Sequence, residues 1–279
     1  MESRFDLCLI GERIAASPSG AMQEAALRAT GRTGSYEIVD VAAAALPAVL
    51  RDLRAQRWRG ANVTMPHKRS VAAACDQLEG DAQRAHAVNT IVVGPDGRLI
   101  GANTDAVGFE MGLRASQLWP QAGCSAVVIG AGGAAAAVVL ALSRAPASRI
   151  TVVARRLSSA RALIDDVGDQ IGSELTAVSW DADLDVVLAT ADIVVNATSA
   201  GLAQMPFTAS RLPVSCTVAD VRYRPRPVDV VAAARQAGRR SCDGVEMLLH
   251  QGMSSFQRWT GDEPPMRAAR VALEEALAG

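Results

Sequence analysis

Two short runs of polar residues could bind a hydroxylated ligand, and each of them ends in a charged side chain, one in a lysine and the other in an aspartate. The run Asn62–Lys68 (NVTMPHK) places an amide and a hydroxyl on a short apolar segment, followed by a proline turn and the lysine. The runs Ala87–Thr90 (AVNT) and Asn103–Asp105 (NTD) add amides, hydroxyls and the aspartate at the ends of other apolar segments. Such groups suit a polyhydroxylated substrate. A lysine beside an aspartate can move a proton to or from a carbinol oxygen, which is the acid–base half of a hydride transfer.

A glycine-rich turn supplies a candidate site for a dinucleotide. Gly130–Ala135 (GAGGAA) follows an apolar strand pattern and opens a helix pattern, as a dinucleotide-binding turn must. The first glycine allows the tight turn, and the next ones let the backbone approach a pyrophosphate at the helix N-terminus. The spacing is GxGGxA, not GxGxxG, so a turn that merely packs a helix on a strand is the alternative.

The end of the next predicted strand bears on which nicotinamide cofactor binds. Enzymes that use NAD usually place an Asp or Glu there to accept the ribose hydroxyls. This chain has Ala154, Arg155 and Arg156 and no acid at that point. Two guanidinium groups suit the 2′-phosphate of NADP, so the residues favour NADP and leave NAD possible. The alternative is that the arginines only solvate the start of the following helix.

Short apolar runs alternate with helical patterns along the chain, which predicts an α/β fold with mostly parallel sheets. The predicted strands are Phe5–Ile10, Tyr36–Val41, Gly60–Thr64, Val88–Val93, Arg98–Gly101, Ala126–Ile129, Ile150–Ala154, Ile193–Asn196 and Thr217–Asp220. The predicted helices are Ala21–Thr30, Leu46–Gln56, Lys68–Leu78, Thr104–Ala115, Ala134–Arg144 and Ser159–Val167. We expect an N-terminal α/β substrate-binding domain over 1–104 and a Rossmann dinucleotide-binding domain over 105–244. The remaining helices, over 245–279, are expected to pack back towards the N-terminal domain.

Composition argues against several other classes of function. The chain has 279 residues, of which 49% are hydrophobic and 20% charged, with a net charge of −1. That balance gives no general attraction to nucleic acid or to an anionic membrane. The four tryptophans are too dispersed for a nucleic-acid stacking platform. We therefore expect a small-molecule substrate and no nucleic-acid or membrane partner. For the oligomeric state we expect a monomer or homodimer.

Cysteine and histidine usage predicts no metal site and a reducing compartment. The five cysteines include no CxxC pair, and the three histidines show no metal-ligand spacing. The chain starts without an apolar signal core, so we expect a cytoplasmic location. The uncharged stretch Ala126–Ser143 is 18 residues long, near the length of a membrane span. Its glycines favour a buried strand, a turn and a buried helix instead.

Taken in order, the motifs resemble those of the shikimate/quinate dehydrogenase family over nearly the whole chain. The matching segments are Gly11 with Ser17-Pro18-Ser19 (Ser-x-Ser), Asn62–Lys68 (NVTxPxK), Ala87–Thr90 (AVNT), Asn103–Asp105 (NTD), Gly130–Ala135 (GAGGAA), Asn196–Gly201 (NATSxG), Asp220 with Tyr223 and Pro225 (DxxYxP), and Asp243–Gln251 (DGxxMLxxQ). The resemblance implies reversible hydride transfer between NAD(P)H and the ketone or alcohol of a shikimate-like cyclic hydroxy acid, the 3-dehydroshikimate/shikimate pair.

The resemblance also implies roles for individual residues. Lys68 would be the acid–base group, with Asp105 orienting it and binding a substrate hydroxyl. The substrate carboxylate would be held by Ser17 and Ser19 with help from Tyr223. Other hydroxyl groups would be bound by Asn62, Thr64, Asn89 and Gln251. The cofactor would contact Gly130, Ala131, Gly132, Gly133, Ala134, Ala154, Arg155, Arg156, Thr198, Ser199, Val221 and Gly244.

Departures from the family pattern leave the substrate and the cofactor open. The family often has SLSPxxHN where this chain has Ser17–Gly20 (SPSG) followed by Gln23 and Glu24, and Asn-Arg-Thr where it has Ala154–Arg156. A quinate or aminoshikimate dehydrogenase is therefore an alternative, as is a weakly catalytic dinucleotide-binding sensor. The retained lysine and aspartate argue against the sensor, because a pure binder needs no proton donor. Asp76 or Asp81 could pair with the lysine in place of Asp105.

Overall fold

The computed structural model describes residues 4–145, 147–168 and 171–278. Contacts divide the chain into two compact units, one made of Met1–Thr104 and Leu249–Gly279 and the other of Asp105–Leu248. Each unit is built on a six-stranded sheet with helices, so the predicted α/β class is confirmed.

The first unit begins with strands and short helices in alternation. Its elements up to residue 102 are β1 (Phe5–Gly11), α1 (Ser19–Ala29), β2 (Gly34–Asp40), a 3₁₀ turn (Ala43–Ala45), α2 (Leu46–Arg54), β3 (Gly60–Val63), α3 (Lys68–Ala74), β4 (Gln77–Leu78), α4 (Asp81–Ala85), β5 (Thr90–Val93) and β6 (Leu99–Ala102). The strand order across the sheet is β2-β1-β3-β5-β6-β4. Strand β5 is antiparallel to both of its neighbours, and the other pairs are parallel.

The antiparallel direction of β5 determines which strand ends lie at the same edge of the sheet. Because β5 runs opposite to β3 and β6, its start lies at the same edge of the sheet as their ends. The register aligns Leu9, Asn62, Thr90 and Ala102 in one row across four strands near this edge. The segments that follow β1, β3 and β6, and the segment that precedes β5, therefore converge there. We call this edge of the first sheet the polar edge.

One predicted helix is too long. The expected helix Lys68–Leu78 ends at Ala74, and Cys75 turns into extended backbone with ψ 145. Residues Gln77–Leu78 instead pair with β6, and the Asp76 carboxylate accepts the Leu99 N–H at 2.7 Å. Hydrogen bonding to a distant strand thus outweighs the local helical pattern of this segment.

The second unit is a parallel sheet with helices. Its elements within the described residues are α5 (Asp105–Ala115), β7 (Ser125–Ile129), α6 (Gly133–Arg144), β8 (Arg149–Ala154), α7 (Leu157–Val167), β9 (Glu174–Ser179), α8 (Asp185–Ala189), β10 (Ile193–Asn196), 3₁₀ turns at Leu202–Gln204 and Ala209–Arg211, β11 (Thr217–Asp220), α9 (Asp229–Gln236) and β12 (Arg240–Cys242). The strand order β12-β11-β10-β7-β8-β9 is the order 3-2-1-4-5-6 of a Rossmann sheet counted from β7. In such sheets, ligands bind at the carboxyl ends of the strands where the order reverses, here between β7 and β10.

The long uncharged stretch is divided as predicted between a strand and a helix. Strand β7 and helix α6 are joined by the glycine turn, and both are buried in the second unit. No helix within the described ranges combines the length and apolar character that a membrane span requires. Burial inside an α/β unit thus accounts for the hydropathy of this stretch.

Two helices complete the chain, α10 (Val245–Thr260) and α11 (Met266–Ala278). From Leu249 onward they belong to the first unit, where α11 packs against α1. The Gln23 side-chain amide donates to the Gly252 carbonyl at 2.9 Å, and the Trp259 indole N–H donates to the Ile91 carbonyl at 2.8 Å. These bonds join α10 to helix α1 and to the middle of the first sheet.

Candidate active site

A buried hydrogen-bond network joins the strands at the polar edge. The Asn62 amide donates to the Ser255 hydroxyl at 2.9 Å, and its carbonyl oxygen accepts the Tyr36 hydroxyl at 2.8 Å. The hydroxyls of Thr90 and Ser255 lie 2.8 Å apart, and those of Thr104 and Ser255 lie 3.2 Å apart. Networks of this kind rigidify a site because each member orients the next.

Asn89 connects this network to helix α10. Its side-chain amide donates to the Thr104 hydroxyl at 2.9 Å and to the Gln251 side-chain oxygen at 3.2 Å. Its side-chain oxygen accepts the Thr104 backbone N–H at 2.8 Å. Asn89 is buried, whereas Gln251 and Thr64 are half-buried. The structure thus brings Asn62, Asn89 and Gln251 into one network, which Ser255 and Tyr36 complete without any sequence motif that marked them.

The two serines lie at the start of helix α1. Their hydroxyl oxygens are 3.2 Å apart, with Ser17 half-buried and Ser19 buried. The preceding loop is held by Asp40, whose carboxylate accepts the N–H groups of Arg13 at 2.9 Å and Ile14 at 3.1 Å. A helix N-terminus has unsatisfied N–H groups and a positive dipole end, which favour an anion. Two hydroxyls at that place form a suitable carboxylate site.

Lys68 and Asp105 both stand at the beginning of a helix. Lys68 is half-buried and opens α3, and its carbonyl accepts the Val88 N–H at 3.0 Å, which ties it to the segment before β5. Asp105 opens α5, is only 5% exposed and directly follows Thr104 of the polar-edge network. Lys68 is therefore positioned by the segment that follows β3, and Asp105 by the segment that follows β6. Both segments start at the polar edge.

The two alternative acidic partners of the lysine have other ion pairs. Asp76 pairs with Arg54 at 2.5 Å, and this hydrogen bond lowers the pKa of the Asp76 carboxyl below its usual value. Asp81 lies 3.9 Å from the Arg84 guanidinium on the same helix.

The glycine turn in the second unit opens into a cleft of about 540 Å³. The cleft is lined by Gly130, Ala131, Gly132, Ala154, Arg155, Arg156, Ser159, Trp180 and Thr198. Gly130 has φ +123, and a Cβ there would lie 2.9 Å from the Thr198 methyl and 3.0 Å from the Ala197 carbonyl oxygen. At Gly132 a Cβ would meet nothing within 4 Å, so the backbone before α6 faces open space. This cradle fits a pyrophosphate at a helix N-terminus.

The basic side chains of this cleft follow β8. Arg155 and Arg156 are exposed, and the Arg156 guanidinium donates to the Ser159 hydroxyl at 3.3 Å. None of the described residues that line the cleft is acidic. A neighbouring cleft of about 320 Å³ is lined by Arg155, Trp180, Thr198, Ser199, Ala200 and Gln204. No sequence motif marked Ser159, Trp180 or Gln204. Ser159 lies in α7, Trp180 directly follows β9, and Gln204 ends a 3₁₀ turn.

Asn196 shapes the loop that follows β10. It is fully buried, and its oxygen accepts the backbone N–H of Thr198 at 3.1 Å and the hydroxyl of Thr198 at 2.7 Å. Its amide donates to the Asp220 carboxylate at 2.9 Å, which in turn pairs with Arg222 at 2.7 Å. The hydrogen bond to Asp220 raises the pKa of the Arg222 guanidinium above its usual value. The hydrogen bonds and the ion pair that join Asn196, Asp220 and Arg222 thereby hold the loop that carries Thr198 and Ser199. Both of these residues line the smaller cleft.

Gly244 lies against the main chain of Val221. A Cβ at Gly244 would lie 2.1 Å from the Val221 carbonyl oxygen, so only glycine allows this approach. The Gly244 N–H donates to the Arg222 carbonyl at 2.9 Å, and α10 begins at the next residue. Tyr223, which follows in the same loop, is half-buried. Among the described residues, no group of three or more His, Cys, Asp or Glu side chains could hold a metal ion.

Comparison with known proteins follows the same division of the chain. Family models match residues 9–91 (shikimate dehydrogenase substrate binding domain), 114–210 (shikimate / quinate 5-dehydrogenase) and 244–274 (shikimate 5′-dehydrogenase C-terminal domain). The shikimate dehydrogenase (NADP(+)) of Methylobacterium radiotolerans is 42% identical over 262 residues, which cover 92% of this chain and 91% of that protein. The chain belongs to the shikimate dehydrogenase family.

Solved structures of the family share the fold. Shikimate 5-dehydrogenase from Thermus thermophilus, in complex with NADP(H) and shikimate, is 34% identical with a TM-score of 0.86, and the match covers 98% of this chain and 100% of that one. Quinate dehydrogenase from Corynebacterium glutamicum, in complex with NAD, is 32% identical with a TM-score of 0.88, covering 98% and 99%. The predicted membership of the shikimate/quinate dehydrogenase family is confirmed.

Proposed function

We propose that this chain reversibly transfers a hydride between NADP(H) and the ketone or alcohol carbon of a shikimate-like cyclic hydroxy acid, the 3-dehydroshikimate/shikimate pair. The polar edge carries this proposal, because one edge of a sheet gathers two serines, a lysine and a network of amides and hydroxyls. Those groups match a ligand with one carboxylate, several hydroxyls and one carbon whose oxygen must gain or lose a proton.

Lys68 provides the proton. Its ammonium donates to the ketone oxygen as the alcohol forms, and the neutral amine takes the proton back in the reverse direction. Asp105 accepts a substrate hydroxyl and keeps the ammonium directed at the reacting oxygen. NADPH, when bound, supplies the hydride to the carbon of that carbonyl. The partial burial of Lys68 limits the water that would otherwise compete for its proton.

The serines at the start of α1 hold the carboxylate. Both hydroxyls donate to it, the positive end of the helix dipole adds to the attraction, and the Tyr223 phenol provides another donor. The remaining hydroxyls are bound by Asn62, Thr64, Asn89 and Gln251. Because Asn62 and Asn89 are already fixed by buried hydrogen bonds, little rotamer entropy is lost when substrate binds.

The second unit holds the cofactor. When the cofactor binds, its phosphates would lie against the backbone of Gly130, Ala131, Gly132, Gly133 and Ala134. The adenosine end would meet Ala154, Arg155 and Arg156, and the nicotinamide end would meet Thr198, Ser199, Val221 and Gly244. Guanidinium groups without a competing carboxylate favour the extra phosphate of NADP over NAD. We accordingly assign residues 1–104 to substrate binding, 105–244 to cofactor binding, and 245–279 to helices that pack towards the N-terminal domain.

The setting in the cell is also part of the proposal. Cys8, Cys75, Cys124, Cys216 and Cys242 are all free thiols, as is usual in a reducing cytoplasm. We assign the protein to the cytoplasm as a monomer or homodimer that acts on a small molecule.

Quinate is the second candidate substrate. The family position that often carries histidine is Gln23 here, and its amide is bonded to the Gly252 carbonyl beside the substrate residue Gln251. This change alters the side chains that surround the substrate carboxylate, and it therefore bears on whether shikimate or quinate is bound.

One assay separates the candidates. Initial rates are measured with shikimate and with quinate, each with NADP+ and with NAD+, and NADP+ binding is measured by calorimetry without substrate. We expect the highest kcat/KM for shikimate with NADP+. Faster quinate oxidation would make the chain a quinate dehydrogenase. Tight cofactor binding without turnover of either acid would indicate a dinucleotide sensor and overturn the enzymatic assignment.

A further inference from the structure

Trp180 lies where the cofactor clefts meet, and no family motif gives it a role. It directly follows β9, and its backbone N–H donates to the Ala154 carbonyl at 2.9 Å, which places it beside the strand end that carries Arg155. The indole is half-buried and packs against the core cluster that contains Val153 and Leu184. It also lines both the larger and the smaller cleft. One part of the ring is thus held by the core while another part faces the clefts.

The backbone and the guanidinium groups of the clefts suit the phosphates of a dinucleotide, whereas its adenine base requires a flat apolar contact. The open backbone at Gly132 suits the pyrophosphate, and the guanidinium groups of Arg155 and Arg156 suit a ribose phosphate. The adenine base is flat and aromatic, and its preferred protein contact is another aromatic face. Trp180 is the one aromatic side chain among the described residues that line these clefts.

We propose that Trp180 is the stacking platform for the adenine base and sets the affinity for the cofactor without choosing between NADP and NAD. This inference rests on the proposed function, since it requires a dinucleotide as the ligand. The two cofactors carry the same base, so loss of the stack weakens both equally. Loss of an arginine that meets the 2′-phosphate weakens only NADP. Trp180 and the arginines therefore have distinguishable effects.

A purely structural role for Trp180 makes a different prediction. Its contact with the core means that truncation could lower stability without touching the ligand. Leucine keeps an apolar side chain against the core and removes the aromatic face, whereas phenylalanine keeps a smaller aromatic face. Trp119 offers a matched control, because it is a half-buried tryptophan of the same unit that is covered by Arg114 at 4.8 Å and lines neither cleft.

The first experiment measures binding without turnover. Dissociation constants for NADP+, NAD+ and adenosine 2′,5′-bisphosphate are determined by calorimetry for the parent protein, Trp180→Leu, Trp180→Phe and Trp119→Leu. We expect Trp180→Leu to raise all three constants by about 5-fold or more, the loss of one base–aromatic stack. Trp180→Phe should raise them less, and Trp119→Leu should leave them unchanged. Trp180→Leu should raise the KM for NADP+ and for NAD+ by a larger factor than it changes kcat, as for an interaction made equally in ground and transition states.

The second experiment uses fluorescence and does not depend on the leucine variant. Adenosine 2′,5′-bisphosphate should quench tryptophan emission in the parent and in Trp119→Phe, but not in Trp180→Phe. A folded Trp180→Leu protein that binds all three ligands like the parent would overturn the stacking role. So would quenching that persists in Trp180→Phe, or a loss of affinity confined to the ligands with a 2′-phosphate. If the parent itself bound neither dinucleotide, the proposed function would fail, a result distinct from failure of the Trp180 assignment alone.

Discussion

Alanine at Gly130 or at Gly132 should separate the folding of the glycine turn from its binding of phosphates. Gly130 has φ +123 and a van der Waals neighbour on the loop after β10, since an added Cβ would lie 3.0 Å from the Ala197 carbonyl oxygen. Gly132 has φ −95 and ψ −173, which any residue adopts, and an added Cβ there would meet nothing within 4 Å. The two glycines lie two positions apart in the same turn. Alanine at Gly130 should mainly lower the free energy of unfolding, whereas alanine at Gly132 should mainly weaken NADP+ binding.

The expected magnitudes follow from that geometry. Strained backbone at Gly130 costs about 1–3 kcal/mol for a residue with a Cβ. The crowded carbonyl must also shift, so Gly130→Ala should lower the free energy of unfolding by about 2–4 kcal/mol. At Gly132, alanine reduces the entropy of the unfolded chain, worth about 0.4–1 kcal/mol, and caps the helix slightly worse, so stability should change by less than about 1 kcal/mol. Its methyl group, however, projects to where phosphate would approach, and each lost charged hydrogen bond costs about 1.5–3 kcal/mol.

Urea unfolding and NADP+ calorimetry test both halves of this prediction. Gly123→Ala is the control for positive φ alone, because Gly123 has φ +81 and open space around the added Cβ. Gly130→Ala should lose more stability than this control, while Gly132→Ala should unfold like the parent and bind NADP+ at least 10-fold more weakly. Parent-like NADP+ affinity in Gly132→Ala would show that the phosphates do not lie over this turn. Equal losses in Gly130→Ala and Gly123→Ala would show that the contact with Ala197 imposes no constraint.

Substitutions of Lys68, of the two serines and of the two arginines test the remaining site assignments. Lys68→Ala should lower kcat by about 10²–10⁴-fold with a smaller change in KM, and a variant that keeps half of the parent kcat would refute the acid–base role. Ser17→Ala and Ser19→Ala should chiefly raise KM for the carboxylate substrate, because each variant loses a charged hydrogen bond worth about 1.5–3 kcal/mol of binding free energy. Unchanged substrate binding in the double variant would place the carboxylate elsewhere. The parent should prefer NADP+ over NAD+ by at least a few-fold in kcat/KM. Joint replacement of Arg155 and Arg156 by alanine should weaken NADP+ and leave NAD+ nearly unchanged, whereas a parent preference for NAD+ would mean that the arginines do not face the 2′ position.

Elements with strong local signals were predictable from the sequence. The turn from β7 into α6 combines an apolar run, glycines and a helical pattern within about twenty residues, and the structure has it where expected. Elements without such signals were not predicted. Strand β9 lies at the edge of its sheet, is exposed at Glu174 and half-buried over the rest of its length, and contains no run of large apolar residues. The missed strand is the reason that Trp180 could not be placed beside the cofactor cleft.

The sequence by itself determined the family, the fold class and the candidates for proton transfer, because each depends on short runs of residues whose chemistry is local. Asn62–Lys68 and Gly130–Ala135 carry their meaning within six or seven positions. Only the tertiary structure decided which of these runs share an edge. Asn89 joins β3 to the segment that follows β6 because β5 is antiparallel, and Ser255 enters the network although it lies 165 residues from Thr90. Strand direction and register arise from hydrogen bonds between distant segments, and no local pattern of residue types specifies them.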